Sequence, residues 1–390
     1  MNNVSKICEN FNIQSSPNTI REILQKQSGV QIQVDVPLAP RTTFKIGGNA
    51  AFFAEPSTED EFCALLKCAN ENGLKTFILG GGSNLVISDD GLNALVVSTS
   101  KFDKIRIARE KFAREEFVCG ECASGENSTG GENACGAKNS LGGECASGKN
   151  SLGGENAVFL HCFSGTTIES LTKFCIENAI SGLETFAGLP GTCGGACYMN
   201  ARCYEVSFSE RIYRVQYVAR DFSVKNYEFN ENDWSYKKSP FQKMMADGSC
   251  RVILSVDFAL KNGEKEKIAT ESAKYIEDRK NKGHFKFPSA GSVFKNNHDF
   301  GKPSGKIIDE TGLRGFAVGG AQVASWHGNF IINTGSATSS DIKNLVEIIK
   351  KTVLEKTGFN LECEILFVNL SGEIGDSCGE IADSCTRVDD

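Results

Sequence analysis

The hydrophobic pattern of the chain alternates between two periods. Short, mostly apolar runs bounded by glycine or polar residues predict strands, and longer segments with helical spacing of apolar residues predict helices. The predicted strands are "KTFILG" (75–80), "NLVISDD" (84–90), "ALVVST" (94–99), "DKIRIARE" (103–110), "AVFLHCFSG" (157–165), the hairpin "RIYRVQYVAR" and "VKNYEF" (211–220 and 224–229), "RVILSVDFAL" (251–260) and "LECEILFVN" (361–369). The predicted helices are 57–73, 166–182, 264–280 and 339–358. This mixture indicates the α+β class.

Capping signals predict where two of the helices begin and end. Ser57 precedes the first helix as a candidate N-cap, and Gly73 ends that helix. A capping box from Thr166 to Glu169 opens the second helix, which ends at Gly182.

The character of the sequence changes after Gly263, where a charged helix leads into a region rich in glycine and proline. A chain of 390 residues has room for two or three domains. The expected parts are an N-terminal helical or irregular extension (1–35), a larger domain (36–262), a C-terminal domain (263–370) and a disordered tail (371–390).

Residues 119–157 interrupt the pattern with short repeats. "GECASG" occurs at 120–125 and again at 143–148, and "NSLGGE" occurs at 139–144 and again at 150–155. With almost no large apolar residue, this segment cannot bury enough surface to offset its ordering entropy. We interpret it as a repeat-expanded surface loop between two strands.

The chain contains 16 cysteines. Those within apolar segments, where cysteine behaves as a small hydrophobic residue, include Cys63, Cys68, Cys162 and Cys175. Cys119 and Cys122 form a CxxC pair, but the available second pair, Cys135 and Cys145, lies among the repeats. Because structural zinc needs two ligand pairs at matched spacing, we expect no metal site.

Bulk properties exclude several classes of function. The net charge of −7 gives no electrostatic support for nucleic-acid binding. No apolar run approaches the roughly 20 residues that span a bilayer, and the N-terminus lacks the basic and apolar regions of a secretory signal. We therefore expect a cytoplasmic protein that binds neither nucleic acid nor membrane.

Two glycine-rich turns, "LGGGSN" (79–84) and "GLPGTCGGACYMNA" (188–201), are candidates for binding chemistry. No Lys-Ser/Thr pair follows Gly82, as a P-loop requires, and the first turn leads into a predicted strand rather than the helix of a Rossmann fingerprint. Glycine lets successive N–H groups converge on an anion, and Ser83 and Thr192 add hydroxyl donors. Together the two loops predict a diphosphate cradle, and hence a dinucleotide.

Five motifs, taken in order, resemble the UDP-N-acetylenolpyruvoylglucosamine reductase (MurB) family. They are "TTFKIGGNA" (42–50), "LGGGSN" (79–84), "GLPGTCGGACYMNA" (188–201), "SAGSVFKNN" (289–297) and "LECEI" (361–365). The resemblance covers about residues 36–370, apart from the repeats. It implies an FAD-binding fold of the vanillyl-alcohol-oxidase type in two α+β subdomains within 36–262, followed by an α+β substrate-binding domain at 263–370.

The same resemblance implies FAD as cofactor and NADPH as co-substrate. FAD would be non-covalent, because neither glycine loop contains a histidine that could link it. NADPH would reduce the flavin, which would then reduce the enolpyruvyl group of a UDP-sugar to UDP-N-acetylmuramate for peptidoglycan synthesis, with consequences for cell shape and division. The residues implied at FAD are Gly80, Gly81, Gly82, Ser83, Asn84, Pro190, Gly191, Thr192, Gly194, Gly195 and Arg279.

Three catalytic positions follow from matching the motifs residue by residue. Ser292 matches the family's proton donor, and Glu364 matches its glutamate. The family's arginine stands in a Tyr-Arg-x-Ser motif, where this chain has Lys237, which keeps the charge but loses the bidentate fork. Either Lys237 or Arg202 supplies the cation, and we favour Lys237.

The residues implied on the substrate side are Tyr236, Lys282, Asn296 and His327. The short connection between residues 240 and 251 leaves no room for the extra loop of the longer family form, so the chain resembles the shorter, type II form. We expect a monomer whose partners are small molecules. Two alternatives remain: another FAD-dependent oxidoreductase of this fold, such as an alcohol oxidase, and a degenerate, non-catalytic flavin- or nucleotide-binding protein.

Overall fold

The computed structural model describes residues 17–108 and 157–375. The helices are α1 Pro17–Ser28, α2 Glu59–Glu71, α3 Ile168–Glu177, α4 Cys193–Tyr198, α5 Pro240–Ala246, α6 Lys265–Asn281, α7 Ser304–Glu310 and α8 Ser339–Thr357. The strands are β1 Ile32–Pro37, β2 Asn49–Ala54, β3 Thr76–Leu79, β4 Leu85–Ile87, β5 Leu92–Ser98, β6 Ile105–Ala108, β7 Ala157–Phe163, β8 Ile180–Ser181, β9 Arg202–Cys203, β10 Val206–Ser207, β11 Ile212–Ala219, β12 Val224–Glu228, β13 Cys250–Asn262, β14 Ala317–Val318, β15 Ala321–Val323, β16 Ile331–Asn333, β17 Leu366–Val368 and β18 Ile374–Gly375.

The four predicted helices form, but the caps of two lie one residue later than expected. Thr58, not Ser57, caps α2, and its hydroxyl accepts the Glu61 N–H at 3.2 Å. Ser57 instead donates its own N–H to the Glu61 carboxylate at 2.5 Å. Both residues therefore bond Glu61 in the first turn, and the helix begins after both of them.

The second correction has a tertiary cause. Thr167, not Thr166, caps α3, and its hydroxyl accepts the Ser170 N–H at 3.0 Å. Thr166 is fully buried and its hydroxyl donates to the Lys104 carbonyl at 3.3 Å. A contact from another strand thus takes the residue that local sequence assigns to the helix. The helix also ends at Glu177, before the expected Gly182.

Two sheets support the larger part of the protein. The first has the order β1-β2-β5-β3, and its parallel strands pack on α1 and α2 around a core that includes Phe52, Phe62 and Leu95. The second runs β12-β11-β13-β7-β6, with β8 pairing β13, and contains the predicted hairpin as β11 and β12. Helices α3, α4 and α5 cover one face of this second sheet around Phe241 and Phe258.

The C-terminal part of the chain returns to the first glycine loop. Strand β17 pairs in parallel with β4, and Leu366 lies opposite Leu85. Phe44 and Val86 belong to the same buried cluster as the apolar face of α8. The segment before β17 is irregular, because Cys363 makes only an isolated bridge to Phe294. This arrangement places residues 361–365 beside the loop that follows β3.

The expected domain limits at residues 35, 262 and 370 stay predictions, and the chain makes regular structure or close contacts near each of them. Strand β1 runs through residue 35. Helix α6 packs back on the larger part of the protein, where the Tyr275 ring lies 4.5 Å from that of Tyr204. The expected tail begins at 371, but Ile374 and Gly375 form β18 against β17. Residues 109–156 and 376–390 lie outside the described part, so the interpretation of the repeats and of most of the tail stays a prediction.

The described cysteines are free thiols, and most are buried. Cys68, Cys162 and Cys175 are buried as expected, whereas Cys63 is half-buried. Burial raises the pKa of the Cys175 thiol to about 12. These thiols therefore act as packing groups rather than nucleophiles. The CxxC pair lies outside the described residues.

Candidate active site

The two glycine loops meet directly. A Cβ added to Gly81 would lie 2.7 Å from the Cα of Gly191, and one added to Gly191 would lie 2.6 Å from the Ser83 hydroxyl. A Cβ on Gly80 would likewise lie 2.8 Å from the Thr192 hydroxyl. Only glycine permits such close approach of two backbones. The loops after β3 and before α4 therefore form one continuous surface.

That surface presents backbone donors. Within residues 17–108 and 157–375, the N–H groups of Gly81, Gly82, Ser83, Gly191 and Thr192 donate no hydrogen bond. Unpaired N–H groups gathered in one place form an anion-binding nest. The residues present thus fit a diphosphate without a cationic side chain.

Other residues predicted at the cofactor have different surroundings. Pro190 and Gly195 are exposed. The Gly195 N–H donates to the Thr192 hydroxyl, the N-cap of α4, at 3.4 Å. Gly194 is buried, and a Cβ there would lie 2.7 Å from the Ser164 Cβ. Gly194 therefore serves the packing of α4 on β7, while the ends of the loop remain open.

Asn84 joins the first glycine loop to the candidate catalytic segment. Its side-chain amide donates to the Glu364 carbonyl at 2.9 Å, and its own carbonyl accepts the Leu366 N–H at 2.9 Å. Asn84 was predicted as a cofactor ligand. In the structure its amide instead holds the backbone of Glu364.

Glu364 forms a close ion pair with Lys237. The Lys237 ammonium lies 2.5 Å from the Glu364 carboxylate, and the two side chains are only 12% and 15% exposed. Lys237 has a φ of +57°, in the left-handed region that disfavours residues with a Cβ. A charged residue held in this conformation inside the protein is a candidate functional residue.

Ser292 is connected to Glu364 through the backbone of the residue that follows it. It follows Gly291, whose φ is +75°, and it bridges Phe330. The Glu364 N–H donates to the carbonyl of Val293, the residue after Ser292, at 2.7 Å. The side chain is half-buried, and its hydroxyl has no hydrogen-bond partner among the described residues. Lys237 and Glu364 are thus in contact, and the backbone next to Ser292 bonds that of Glu364.

Two of the predicted substrate residues also meet here. The Asn296 N–H donates to the Tyr236 hydroxyl at 3.4 Å, and Tyr236 precedes Lys237 in the same turn. The Asn296 side chain accepts the Ser304 N–H at the start of α7 at 2.9 Å. Tyr236 is exposed. Asn296 is therefore partly occupied in fixing α7.

Arg279 and Lys282 lie at the C-terminal end of α6, on the side of the second glycine loop. Arg279 is 6% exposed, and its guanidinium donates to the Ala187 carbonyl at 3.1 Å. Lys282 pairs with Asp278 at 2.6 Å and is half exposed. Both cations lie over the Tyr204 ring. Arg279 borders the glycine loop directly, whereas Lys282 remains available to a ligand.

His284, which the sequence pattern did not indicate, packs on the same phenylalanine ring as the predicted residue His327. His327 stacks on Phe330 at 4.3 Å, and His284 meets the same ring edge-on at 4.7 Å. Burial, followed by the charge of Arg279, lowers the pKa of His284 to about 4, and burial lowers that of His327. Both imidazoles are therefore neutral near pH 7. His284 lies seven residues before Gly291 in a motif-bearing stretch, but nothing in the local pattern distinguished it.

Arg202, the alternative cation, makes only local contacts. Its guanidinium donates to the Ser207 hydroxyl at 3.0 Å and to the Glu205 carboxylate at 2.7 Å. Lys237 reaches Glu364, and Arg202 does not. The geometry therefore supports Lys237 for the role that sequence analysis left open.

Comparison with known families fits the geometry of the loops. Residues 50–116 match the model of an FAD binding domain, and residues 283–368 match that of the UDP-N-acetylenolpyruvoylglucosamine reductase C-terminal domain. With two glycine loops in contact and a charged site beside them, the fold defines an FAD-dependent oxidoreductase, and the expected fold class is confirmed.

Relatives identify the family. UDP-N-acetylenolpyruvoylglucosamine reductase of Treponema denticola is 41% identical over 338 residues, which cover 85% of this chain and 91% of that protein. The enzyme of Borreliella burgdorferi is 37% identical over 332 residues, 85% of this chain and 92% of that protein. The crystal structure of the enzyme (MurB) from Thermus caldophilus superposes with a TM-score of 0.60 at 25% identity, covering 87% of this chain and 98% of that one. The chain belongs to the UDP-N-acetylenolpyruvoylglucosamine reductase family, whose enzymes act in peptidoglycan precursor synthesis.

Residues 17–108 and 157–375 contain no helix of the length and apolarity that crossing a membrane requires. The same residues contain no group of three or more His, Cys, Asp or Glu side chains that could hold a metal ion.

Proposed function

We propose that the chain uses NADPH to reduce the enolpyruvyl double bond of UDP-N-acetylenolpyruvoylglucosamine, with Ser292 as the proton donor. Bound FAD supplies the hydride chemistry between the two substrates. The observation that carries the proposal is the Lys237–Glu364 pair, whose Glu364 backbone bonds the residue after Ser292 and is joined through Asn84 to the first glycine loop.

The protein's own residues divide the work. The free N–H groups of the glycine loops would hold the diphosphate of FAD, and non-covalent binding is supported by the absence of histidine from both loops. Arg279, fixed at Ala187, would contact the cofactor from the side of α6. We assign Tyr236, Lys282, Asn296 and His327 to the substrate, and the contact between Tyr236 and Asn296 beside Lys237 supports this for two of them.

Ser292 has the properties that proton donation requires. Hydride addition beside a carboxylate leaves a carbon that is strongly basic, so even a weakly acidic hydroxyl can protonate it. The turn at Gly291 fixes the serine, and its hydroxyl is not occupied by another described residue. Lys237 would stabilise the negative charge that develops on the substrate carboxylate, and Glu364 holds Lys237 in place.

Anaerobic stopped-flow with the purified holoenzyme tests the proposal. NADPH should reduce the flavin, and the enolpyruvyl UDP-sugar should then reoxidise it. Flavin that NADPH reduces but the UDP-sugar leaves reduced would favour a different flavoenzyme. Bound flavin that NADPH does not reduce would favour a non-catalytic protein. The lysine in place of the family's arginine would then be part of that loss of function.

We further propose NADPH over NADH, a monomer, a cytoplasmic setting, and a role through peptidoglycan in cell shape and division. The free thiols among the described cysteines support a reducing compartment. Parallel titrations with NADPH and NADH, together with sedimentation of the holoenzyme, test the first two points.

A further inference from the structure

A buried asparagine ties the second glycine loop to the turn that carries Lys237. Asn200 is 2% exposed, and its side-chain amide donates to the Ser235 carbonyl at 2.8 Å and the Lys238 carbonyl at 3.3 Å. Its side-chain oxygen accepts the Ser209 N–H at 3.1 Å. Both halves of the amide are therefore used, and the donating half grips the two ends of one turn.

That turn needs support from outside. Ser235 and Lys238 exchange backbone hydrogen bonds of 3.2 and 3.0 Å, and between them Lys237 adopts a φ of +57°. A lysine in the left-handed region persists only where its surroundings hold it there. The amide of Asn200 supplies such a hold, because it bonds the carbonyls on both sides of the strained residue.

Asn200 is itself fixed to the cofactor loop. It follows α4, the short helix that begins directly after Thr192. Its N–H donates to the Cys197 carbonyl at 3.1 Å, and its φ of +42° is one that asparagine tolerates better than most residues. A short, fully bonded segment thus connects the second glycine loop to the amide.

We propose that Asn200 is a positioning residue that holds the Lys237 ammonium at Glu364, an inference that rests on the proposed role of Lys237. Its counterpart is Asn84, whose amide holds the Glu364 backbone to the first glycine loop. Glu364 is thereby fixed to the first glycine loop, and Lys237 is fixed to the second. The cofactor loops and the catalytic charges form one connected frame.

Asn200→Asp tests this directly. The aspartate keeps the oxygen that accepts from Ser209 and tolerates the backbone, but it places a carboxylate against two carbonyls. In the purified holoenzyme, flavin reoxidation by the enolpyruvyl UDP-sugar should slow about 10- to 100-fold, as small misplacements of catalytic groups do. FAD content, the flavin spectrum and reduction by NADPH should stay as in the wild type. Asn200→Gly, which keeps the backbone and removes the side chain, should show the same pattern.

Asn369→Asp is the matched control, because it also loses an amide donor, to Glu373 at 3.1 Å, while keeping the oxygen that accepts from Ser371 and Glu373. It should leave both half-reactions unchanged. If both Asn200 variants lose FAD, or slow the two half-reactions equally, Asn200 is a general structural residue and the proposal is wrong.

A double-mutant cycle with Lys237→Met separates this proposal from the proposed function. If Asn200 acts through Lys237, the double variant Asn200→Asp/Lys237→Met reoxidises no more slowly than Lys237→Met alone. Additive slowing would overturn the positioning role. A Lys237→Met enzyme with the wild-type rate would instead overturn the role of Lys237.

Discussion

Asp257 and Glu364 are both shielded carboxylates held by basic side chains, but the two sites are built differently. Asp257 lies on β13 between Arg214 of β11 and His161 of β7, directly opposite each in register, with contacts of 2.6 Å to both. Glu364 lies on an irregular segment and takes one ammonium, from a residue in a left-handed turn.

The difference separates a structural charge cluster from a reactive one. Around Asp257, paired strands supply both basic partners, and each carboxylate oxygen has its own donor, so the charges reinforce the sheet. At Glu364 the chain keeps an unfavourable backbone conformation at Lys237, which places one ammonium at the carboxylate. Strain that serves no local packing is expected where a protein must bind or transform something.

The largest expected effect is that of Ser292→Ala. Reoxidation of the flavin by the enolpyruvyl UDP-sugar should slow by about 10²- to 10⁴-fold, as loss of a positioned proton donor does. Reduction by NADPH should keep its rate, and the free energy of unfolding should barely change because the hydroxyl has no structural partner. Anaerobic stopped-flow and urea unfolding measure these quantities. Equal slowing of both half-reactions would contradict the assignment.

Lys237→Met should come next, with reoxidation slowed about 100-fold, the usual effect of removing one electrostatic contact to a developing charge. Lys237→Arg restores the residue found elsewhere in the family and should stay within about tenfold of the wild type. A Lys237→Arg enzyme as slow as the methionine variant would show that the turn, not the charge, decides the rate.

Asp257→Asn should show the opposite pattern. Loss of the charge that Arg214 and His161 face should lower the free energy of unfolding by about 2 kcal/mol, while both half-reactions keep their rates. The exposed pair of Glu373 and Lys75, 2.8 Å apart, is the control, and Glu373→Gln should change stability by less than about 1 kcal/mol. A slow but stable Asp257→Asn enzyme would remove the contrast between the two clusters.

The smallest effect concerns pH. His284 has a pKa of about 4, below its ordinary value of 6.5, so the unfolded chain binds its proton first as pH falls. Stability should therefore be full above pH 6.5 and fall progressively between pH 6.5 and 4. Replacing the imidazole in His284→Gln should reduce the loss between pH 7 and pH 5 by about 1 kcal/mol, given partial exposure. Urea unfolding at the two pH values measures it, and an unchanged pH dependence would contradict this assignment.

Sequence predicted the two glycine loops because their chemistry is local. Glycines, Ser83 and Thr192 are enough to indicate a backbone nest, and the structure brings the two loops into contact. Many of the strands and four of the helices also followed from periodicity, whereas β2 and β14–β16 did not. Two local predictions were wrong because of tertiary contacts. The Thr166 hydroxyl bonds the Lys104 carbonyl instead of capping α3. Residues 361–365, which the pattern assigns to a strand, bond the backbone after Ser292 without forming a regular ladder.

The frame around the ion pair could not be predicted from the sequence alone. Lys237 and Glu364 are 127 residues apart, and no local pattern encodes their meeting. Asn200 stood inside a motif that had been noticed for its glycines, and its side chain serves a turn 35 residues later. Family resemblance identifies the position of such a residue in a motif, and the structure shows which groups its side chain contacts.

The pairing of β17 with β4 has a consequence for biosynthesis. Asn84 and Glu364 are separated by 280 residues, so the first cofactor loop leaves the ribosome long before the segment that anchors it. At about 10 residues per second, that wait lasts roughly half a minute. Nascent chains therefore spend that interval without the bond from Asn84 to the Glu364 backbone, and the loop gains its full set of contacts only as translation nears the final strands.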